Sequence, residues 1–467
     1  MNRRRLMEEK QMLFSDEDLK AMIVPLILEQ LLVMLVGIAD TLVVSHAGEA
    51  AVSGVSLVNQ FNTIFIYLFT ALASGGAVVL SQYIGRKEQE QAGKSASQLL
   101  MSGTVFSLAT AVLVLIGNEG MLRLLFGRVE DSVMDACVMY LRISAYSYPA
   151  LAVYHSGAAV YRSLGRTNVT MYISILSNII NVIGNVIGVF VLHAGVAGVA
   201  WPSLIARTFS AAAITVLCFR ISFQIPGGRR ITTGEKKEVF YSLCWIFHWD
   251  TSCLKKILRI AIPNGVENGI FQLVKVALSS IVALFGTYQI AANGVAQSIW
   301  SLAALSGVAM GPAFITVTGQ CMGKRDVPAA EYYLTKLTKI TLMLSSAWNL
   351  LIFLLTPLFL SFYALEPQTK QLVIWLVLIH NVFNAAAFPF SGALSNGLRA
   401  AGDVKFTMYV SVLSTIVGRL FLSYLLGIVF HMGVIGIAAA MVFDWVLRAV
   451  IFIRRKRSGK WKLFEVV

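Results

Sequence analysis

Asp40 stands in the run Leu35-Val36-Gly37-Ile38-Ala39-Asp40-Thr41-Leu42-Val43-Val44, with no basic neighbour. Counted at about 1.5 Å per residue from Ala21, it lies about 29 Å along a helix, in the outer half of a bilayer. An isolated carboxylate there is costly to keep charged, which is the property a proton carrier needs. The plain alternative is an acid at a water-filled mouth with no role. Glu29 lies eleven residues earlier, almost three whole turns, so the two acids share one helix face. Asn178, Asn181 and Asn185 follow an i, i+3, i+7 spacing and also line one face. Amides of this kind coordinate sodium, bond a neighbouring carboxyl, or simply glue helices together. Gly184 and Gly188 beside them favour close packing. Glu267 and Lys275 lie eight residues apart in a later apolar run. Arg207, Arg419, Asp444 and Arg448 fall inside or near the ends of other such runs, and an internal ion pair is the simplest reading of each.

These residues need apolar helices to position them. Of 467 residues, 57% are hydrophobic and 13% charged, about half the usual ~25% of a soluble domain. Such a chain is neither disordered, collagenous nor disulfide-rich, and a soluble multidomain enzyme could not hide this much apolar surface. Hydropathy and breakers predict segments at 21–46, 51–84, 95–117, 133–160, 168–192 and 196–220. A second set is predicted at 257–285, 290–320, 330–360, 371–396, 405–430 and 434–453. All are too long for the alternating strands of a barrel. The fold class expected is an all-α integral membrane protein with twelve transmembrane helices in two six-helix lobes. The expected division is a first lobe at 1–220, a cytoplasmic connection at 221–256 and a second lobe with a basic tail at 257–467. Residues 241–249 read either as a short interfacial helix or as a linker.

The net charge of +14 is distributed by side. Arg3, Arg4, Arg5, Arg86, Lys87, Arg162, Arg166, Lys324, Arg325, Arg399 and Lys405 fall at the N-terminus or in alternate loops, and six more basic residues follow Ile453. The opposite loops at 46–50, 193–195, 286–289 and 431–433 have no Lys or Arg. Both termini are therefore expected in the cytoplasm, and the basic balance reflects a membrane rather than nucleic acid. The first apolar run is too long for a cleaved leader and reads as an uncleaved span.

A repeat is visible at an offset near 238. Pro25 and Glu29 match Pro263 and Glu267, Gly48 matches Gly286, and Gln82, Gly85 match Gln320, Gly323. Arg162, Gly165 and Met171 match Arg399, Gly402 and Met408 one residue short of that offset. Six spans per half make the repeats parallel. Leu278 stands where Asp40 would repeat, so proton chemistry is expected in the first lobe alone. The abundant Met and Phe suit an adaptable apolar cavity. No phosphate loop is complete: Gly93-Lys94-Ser95 supplies its end, but Glu88 stands at its first glycine. The five cysteines are scattered without a CxxC pair, and Cys244, His248 and Cys253 are poorly spaced for a metal. No cofactor is expected beyond a coupling ion, H⁺ or Na⁺, and no enzymatic constellation is present.

Ala39-Asp40-Thr41, the stretch from Pro263 to Gln272, the loop Arg399 to Phe406 and Gly195-Val196-Ala197-Gly198-Val199-Ala200 occur in order on this frame. Together they resemble the multidrug and toxic compound extrusion (MATE) family, bacterial branch, over nearly the full length. The resemblance implies a monomeric antiporter of the cytoplasmic membrane that expels organic, often aromatic and cationic compounds against inward H⁺ or Na⁺. It implies a V-shaped pair of bundles that rock in alternating access. Asp40 matches the first-lobe acid of one branch. A second acid of that branch aligns with Asn185, four residues after Asn181, so this sequence has an amide where those members have a carboxylate. Ser203 aligns with a hydroxyl ligand in span six. A deeper acid of another branch falls at Gln272 or Lys275. With Glu29, Asn178 and Glu267 these form the candidate cavity residues. A lipid-linked oligosaccharide flippase of the wider superfamily and a metabolite exporter are the alternatives.

Overall fold

The computed structural model describes residues 13–126, 129–220, 243–363 and 365–467. Among these, every regular element is a helix. Eleven are long and apolar enough to cross a membrane. In chain order they are span one (Asp16–Ser45), span two (Glu49–Arg86), span three (Gln89–Phe126), span five (Thr167–Val191) and span six (Ala197–Phe219). The second half supplies span seven (Thr251–Phe285), span eight (Thr287–Gly323), span nine (Val327–Ser361), span ten (Pro367–Ala400), span eleven (Val404–Val429) and span twelve (Gly433–Arg457). Span four is broken into Asp131–Tyr146 and Tyr148–Ser163, each of 16 residues. The break follows from Pro149, which has no N–H for the ladder and sits at the start of the second helix. With both pieces counted as one crossing, the fold is the twelve-helix, two-lobe arrangement expected. Several helices outrun their predicted limits. Span two has 38 residues, about 57 Å, against a hydrocarbon core of about 30 Å.

Two compact units result, but their borders lie within helices. The first lobe is Lys20–Gly265. The second is Val266–Val466 together with the described residues up to Leu19. These borders differ from the division at 220 and 257, and 221–242 of the expected connection lie outside the described residues.

The first turns of span seven belong to the first lobe for visible reasons. A side chain at Gly75 would meet the Ile257 carbonyl at 2.8 Å, so glycine is what lets the two helices touch. Lys256 Nζ donates to Tyr83 Oη at 2.7 Å. Upstream, residues 243–247 form a short helix. Gln98 Nε2 of span three donates to the carbonyls of Trp245 and His248 at 2.6 and 2.7 Å, and Lys94 pairs with Asp250. The bond from Lys94, reinforced by the Cys253 N–H, holds the Asp250 carboxyl below its ordinary range.

The second lobe gathers residues 14–16 and 456–462 at one end of span nine. Phe14 N donates to Tyr333 Oη at 2.9 Å, while that hydroxyl donates to the Phe14 carbonyl at 2.6 Å. Asp16 pairs with Lys336. From the C-terminal side, Lys462 reaches Glu331 at 2.6 Å and Lys456 reaches Thr335 at 2.7 Å. Trp461 is fully buried there, its N–H given to the Lys456 carbonyl.

Candidate functional site

Spans five and six approach each other through glycine. A Cβ on Gly184 would meet the Pro202 ring at 2.6 Å, and one on Gly198 would meet the Gly188 carbonyl oxygen at 2.6 Å. Such backbone proximity is available only without side chains. It sets Asn181 opposite Ser203, whose hydroxyl accepts from Asn181 Nδ2 at 3.0 Å. One turn on, Asn185 Nδ2 donates to Asn181 Oδ1 at 2.8 Å and to Asp40 Oδ1 of span one at 2.6 Å. Asp40, Asn185, Asn181 and Ser203 thus form one unbroken row across three spans. Asn185 is fully buried and its Oδ1 has no partner. Asp40 is half-buried. Asn178, the third amide of the face, stands half-buried with Nδ2 unbonded and outside the row.

Around the row the polar groups are anchored. Arg207 acts on Asp40 through Coulomb attraction and donates from Nη1 to Ser147 Oγ at 2.7 Å. Ser147 is the residue at the break of span four. Tyr148 Oη donates to Asn62 at 2.7 Å, and Tyr140 Oη to Asn59 at 3.2 Å. The basic group nearest to this site in the fold comes from span six, and the sequence showed it only as an arginine inside an apolar run.

Glu29 and Glu267 are not free groups. Arg162 Nη2 donates to Glu29 Oε1 at 2.7 Å, Tyr154 Oη to the same oxygen at 3.2 Å and Thr170 Oγ1 to Oε2 at 3.0 Å. At the repeat position, Arg399 Nη2 lies 2.7 Å from both oxygens of Glu267. Arg399 Nε reaches Thr407 at 3.4 Å. Each lobe therefore has a Glu–Arg clasp joining its first span to its fourth. The offset that paired the two Glu and the two Arg in sequence was the signal for it. Lys275 is exposed, makes no ion pair among the described residues and does not approach Glu267. Gln272 is half-buried and has no described hydrogen bond.

The second lobe holds a different cluster. Asp444 is fully buried. Its Oδ2 accepts from Arg448 Nη2 at 2.7 Å and lies 3.1 Å from Arg419 Nη2, and its Oδ1 accepts from Ser414 Oγ at 2.7 Å. The Arg419 guanidinium sits 4.8 Å from the Phe271 ring centroid and 5.9 Å from that of Trp445. Trp300 stacks on Trp445 at 5.8 Å, and buried His380 lies 6.2 Å from the same ring. Of this group, Arg419, Asp444 and Arg448 were visible as intramembrane charges; the aromatic shell and His380 were not distinguishable from ordinary packing. Among the described residues no cluster of three or more His, Cys, Asp or Glu has the placement of a metal site.

Comparison with known proteins agrees with this frame. Residues 25–187 and 263–425 each match the family model MatE, one copy per repeat, and the matches start 238 residues apart. The "Uncharacterized transporter YisQ" of Bacillus subtilis is 27% identical over 94% of this chain and 93% of its own length. The "Probable multidrug resistance protein NorM" of Thermotoga maritima is 22% identical over 96% of this chain and 93% of its own. A solved structure described as the outward-facing conformation of a multidrug resistance MATE family transporter superposes with a TM-score of 0.85. It is 20% identical and covers 94% of this chain and 95% of that one.

Proposed function

The chain belongs to the MATE family of multi-pass membrane transporters, and from that premise we propose that it exports organic compounds by proton antiport with Asp40 as the coupling acid. The observation that carries this reading is the bonded row from Asp40 through Asn185 and Asn181 to Ser203. With Asp40 as the carboxylate, Asn185 donates to Asp40 and to Asn181, and Asn181 donates to Ser203. A proton on Asp40 adds a donor, and the unpartnered Oδ1 of Asn185 is the acceptor beside it. Rotation of the Asn185 amide brings that oxygen to Asp40 and leaves oxygen facing oxygen at Asn181. Asn181 then rotates in turn and accepts from the Ser203 hydroxyl. One proton so reverses the polarity of every bond in the row and changes what span one and span six offer to a substrate. Terminal amide torsions are soft enough for this exchange.

The substrates are flat organic molecules, often cationic, and the working unit is a single chain in the cell membrane with both termini in the cytoplasm. The basic loops support that orientation. The shared docking of Phe14 and Lys462 on span nine supports the segments around them lying on one side. Sodium is the second reading, because Asn185 Oδ1 and the Asp40 carboxylate are both hard oxygen ligands.

The test is efflux of a fluorescent cationic dye from proteoliposomes under a proton or a sodium gradient, with Asp40→Asn beside wild type. Proton-driven efflux that falls to background in the variant is expected. An undiminished variant overturns the mechanism, and sodium-driven efflux selects the second reading. No efflux under either gradient redirects the search to lipid-linked or metabolite substrates.

A further inference from the structure

The repeat offset is 237 at Met171 and Met408 and 238 between the ends of the two family matches at 187 and 425, so Gly418 and Arg419 stand at the level of Asn181. The level that carries the coupling row in one lobe therefore holds an arginine in the other. Arg419, His380 and Asp444 each stand near the middle of their spans, the depth at which transporters of this architecture bind substrate. The cluster of Arg419, Arg448 and Asp444 has two cations for one anion. Arg419 is 5% exposed, and its Nε and the Arg448 Nε have no hydrogen-bond partner. Trp300 Nε1 and both ring nitrogens of His380 are likewise unbonded. An unbalanced guanidinium with idle donors at this depth is costly, and an anion is what completes it.

We propose that this cluster is a binding site for the carboxylate of an aromatic compound, zwitterions included. Arg419 supplies the charge-assisted donor, and the rings of Phe271, Trp300 and Trp445 supply flat surface for the body of the ligand. Asp444 competes with the ligand for the two guanidinium groups and so sets the affinity. The site gives the transporter a second substrate class beside cations, chosen by the lobe that does not hold the coupling acid. This extends the reading of the chain as an exporter of organic compounds and rests on it.

The test is equilibrium binding of 2-naphthoate and its neutral isostere 2-naphthamide to the full-length transporter in lipid nanodiscs, without any gradient. Wild type is expected to prefer naphthoate by about tenfold or more. Arg419→Gln is expected to abolish the preference, and Trp300→Phe to reduce it while keeping the stacked rings. Asp444→Asn is expected to strengthen naphthoate binding, a gain that misfolding cannot produce. Equal binding of the two probes to wild type overturns the proposal, as does a preference that survives in Arg419→Gln. Replacing gluconate by chloride in the buffer separates the sources of negative charge. An unchanged preference keeps the organic carboxylate, whereas its loss reassigns the site to an inorganic anion. Because no gradient is imposed, failure of proton-driven efflux with naphthoate binding intact removes the Asp40 mechanism alone.

Discussion

In the first lobe, span five meets span one through Asn185 and Asp40; in the second, Arg419 stands at the level of span eleven that corresponds to Asn181, and it meets Asp444 of span twelve. The surroundings of the two sites are alike. Glu29–Arg162 and Glu267–Arg399 close the first span onto the fourth in each lobe. Gly188 with Gly198, and Gly427 with Gly436, bring the fifth and sixth spans into backbone contact in each. What differs is the set of side chains held inside: an acid with amides in one lobe, two arginines with one acid in the other. A duplicated frame has kept the contacts that place helices and exchanged the polar side chains held between them. The physical reason is that ion clasps and glycine contacts fix geometry at short range, whereas the polar groups held inside a lobe can be exchanged without moving its helices.

Several substitutions break or sharpen this contrast. The largest effect is expected from Asn185→Asp, which sets a second carboxylate beside Asp40. Two carboxylates at one site supply the hard oxygen ligands that a small metal cation takes, so dye efflux should pass from the proton gradient to the sodium gradient. Continued indifference to sodium would mean that the row does not choose the ion. Next come the clasps. Glu29→Gln leaves Arg162 without its counter-charge and is expected to cost about 3–5 kcal/mol of stability. Glu267→Gln should cost less, because its side chain is 17% exposed against 9% for Glu29 and has fewer partners. Thermal unfolding of both variants in nanodiscs orders them, and the reverse order would refute the equivalence drawn between clasps.

Smaller effects follow from the glycine contacts. Gly188→Ala and Gly436→Ala each force a methyl into facing backbone and should cost about 1–3 kcal/mol. Only Gly188→Ala should also lower proton-driven efflux, since the contact it disturbs carries Asn181 and Ser203. Last, Ser203→Ala removes the end of the row and one hydrogen bond worth about 1 kcal/mol. Proton-driven efflux is expected to fall several-fold with little change in melting temperature. A transport rate equal to wild type would confine the relay to Asp40 and the two amides.

Much of the frame was legible because its determinants are local. Long apolar runs, basic residues in alternate loops and ordered repeat pairs are each read within a few dozen residues, and they predicted the helices, their number and the two lobes. The break of span four was not predicted, although Pro149 marks it. The hydropathy of 133–160 runs through the proline without a gap, and hydropathy does not register a missing N–H. The lobe borders at 19 and 265 were equally hidden. They depend on Gly75 admitting Ile257 and on Tyr333 holding Phe14, contacts between residues far apart in the chain.

The candidate site divides in the same way. From type and spacing, Asp40 stood out as a carboxylate in apolar surroundings, and the amides of span five as a single face. That Asn185 rather than Asn178 reaches Asp40, that Glu29 is clasped by Arg162, and that Lys275 stays apart from Glu267 were decided only by folding. A helix face spans three amides equally well, and the neighbouring span, placed by glycine contacts of a few ångströms, selects among them. The sequence by itself determined a twelve-span, duplicated membrane protein with carboxylates inside its first span, because water and lipid sort residues one at a time. The tertiary structure alone decided which polar groups share a hydrogen bond, because that depends on helix rotation and on distances that no single segment specifies.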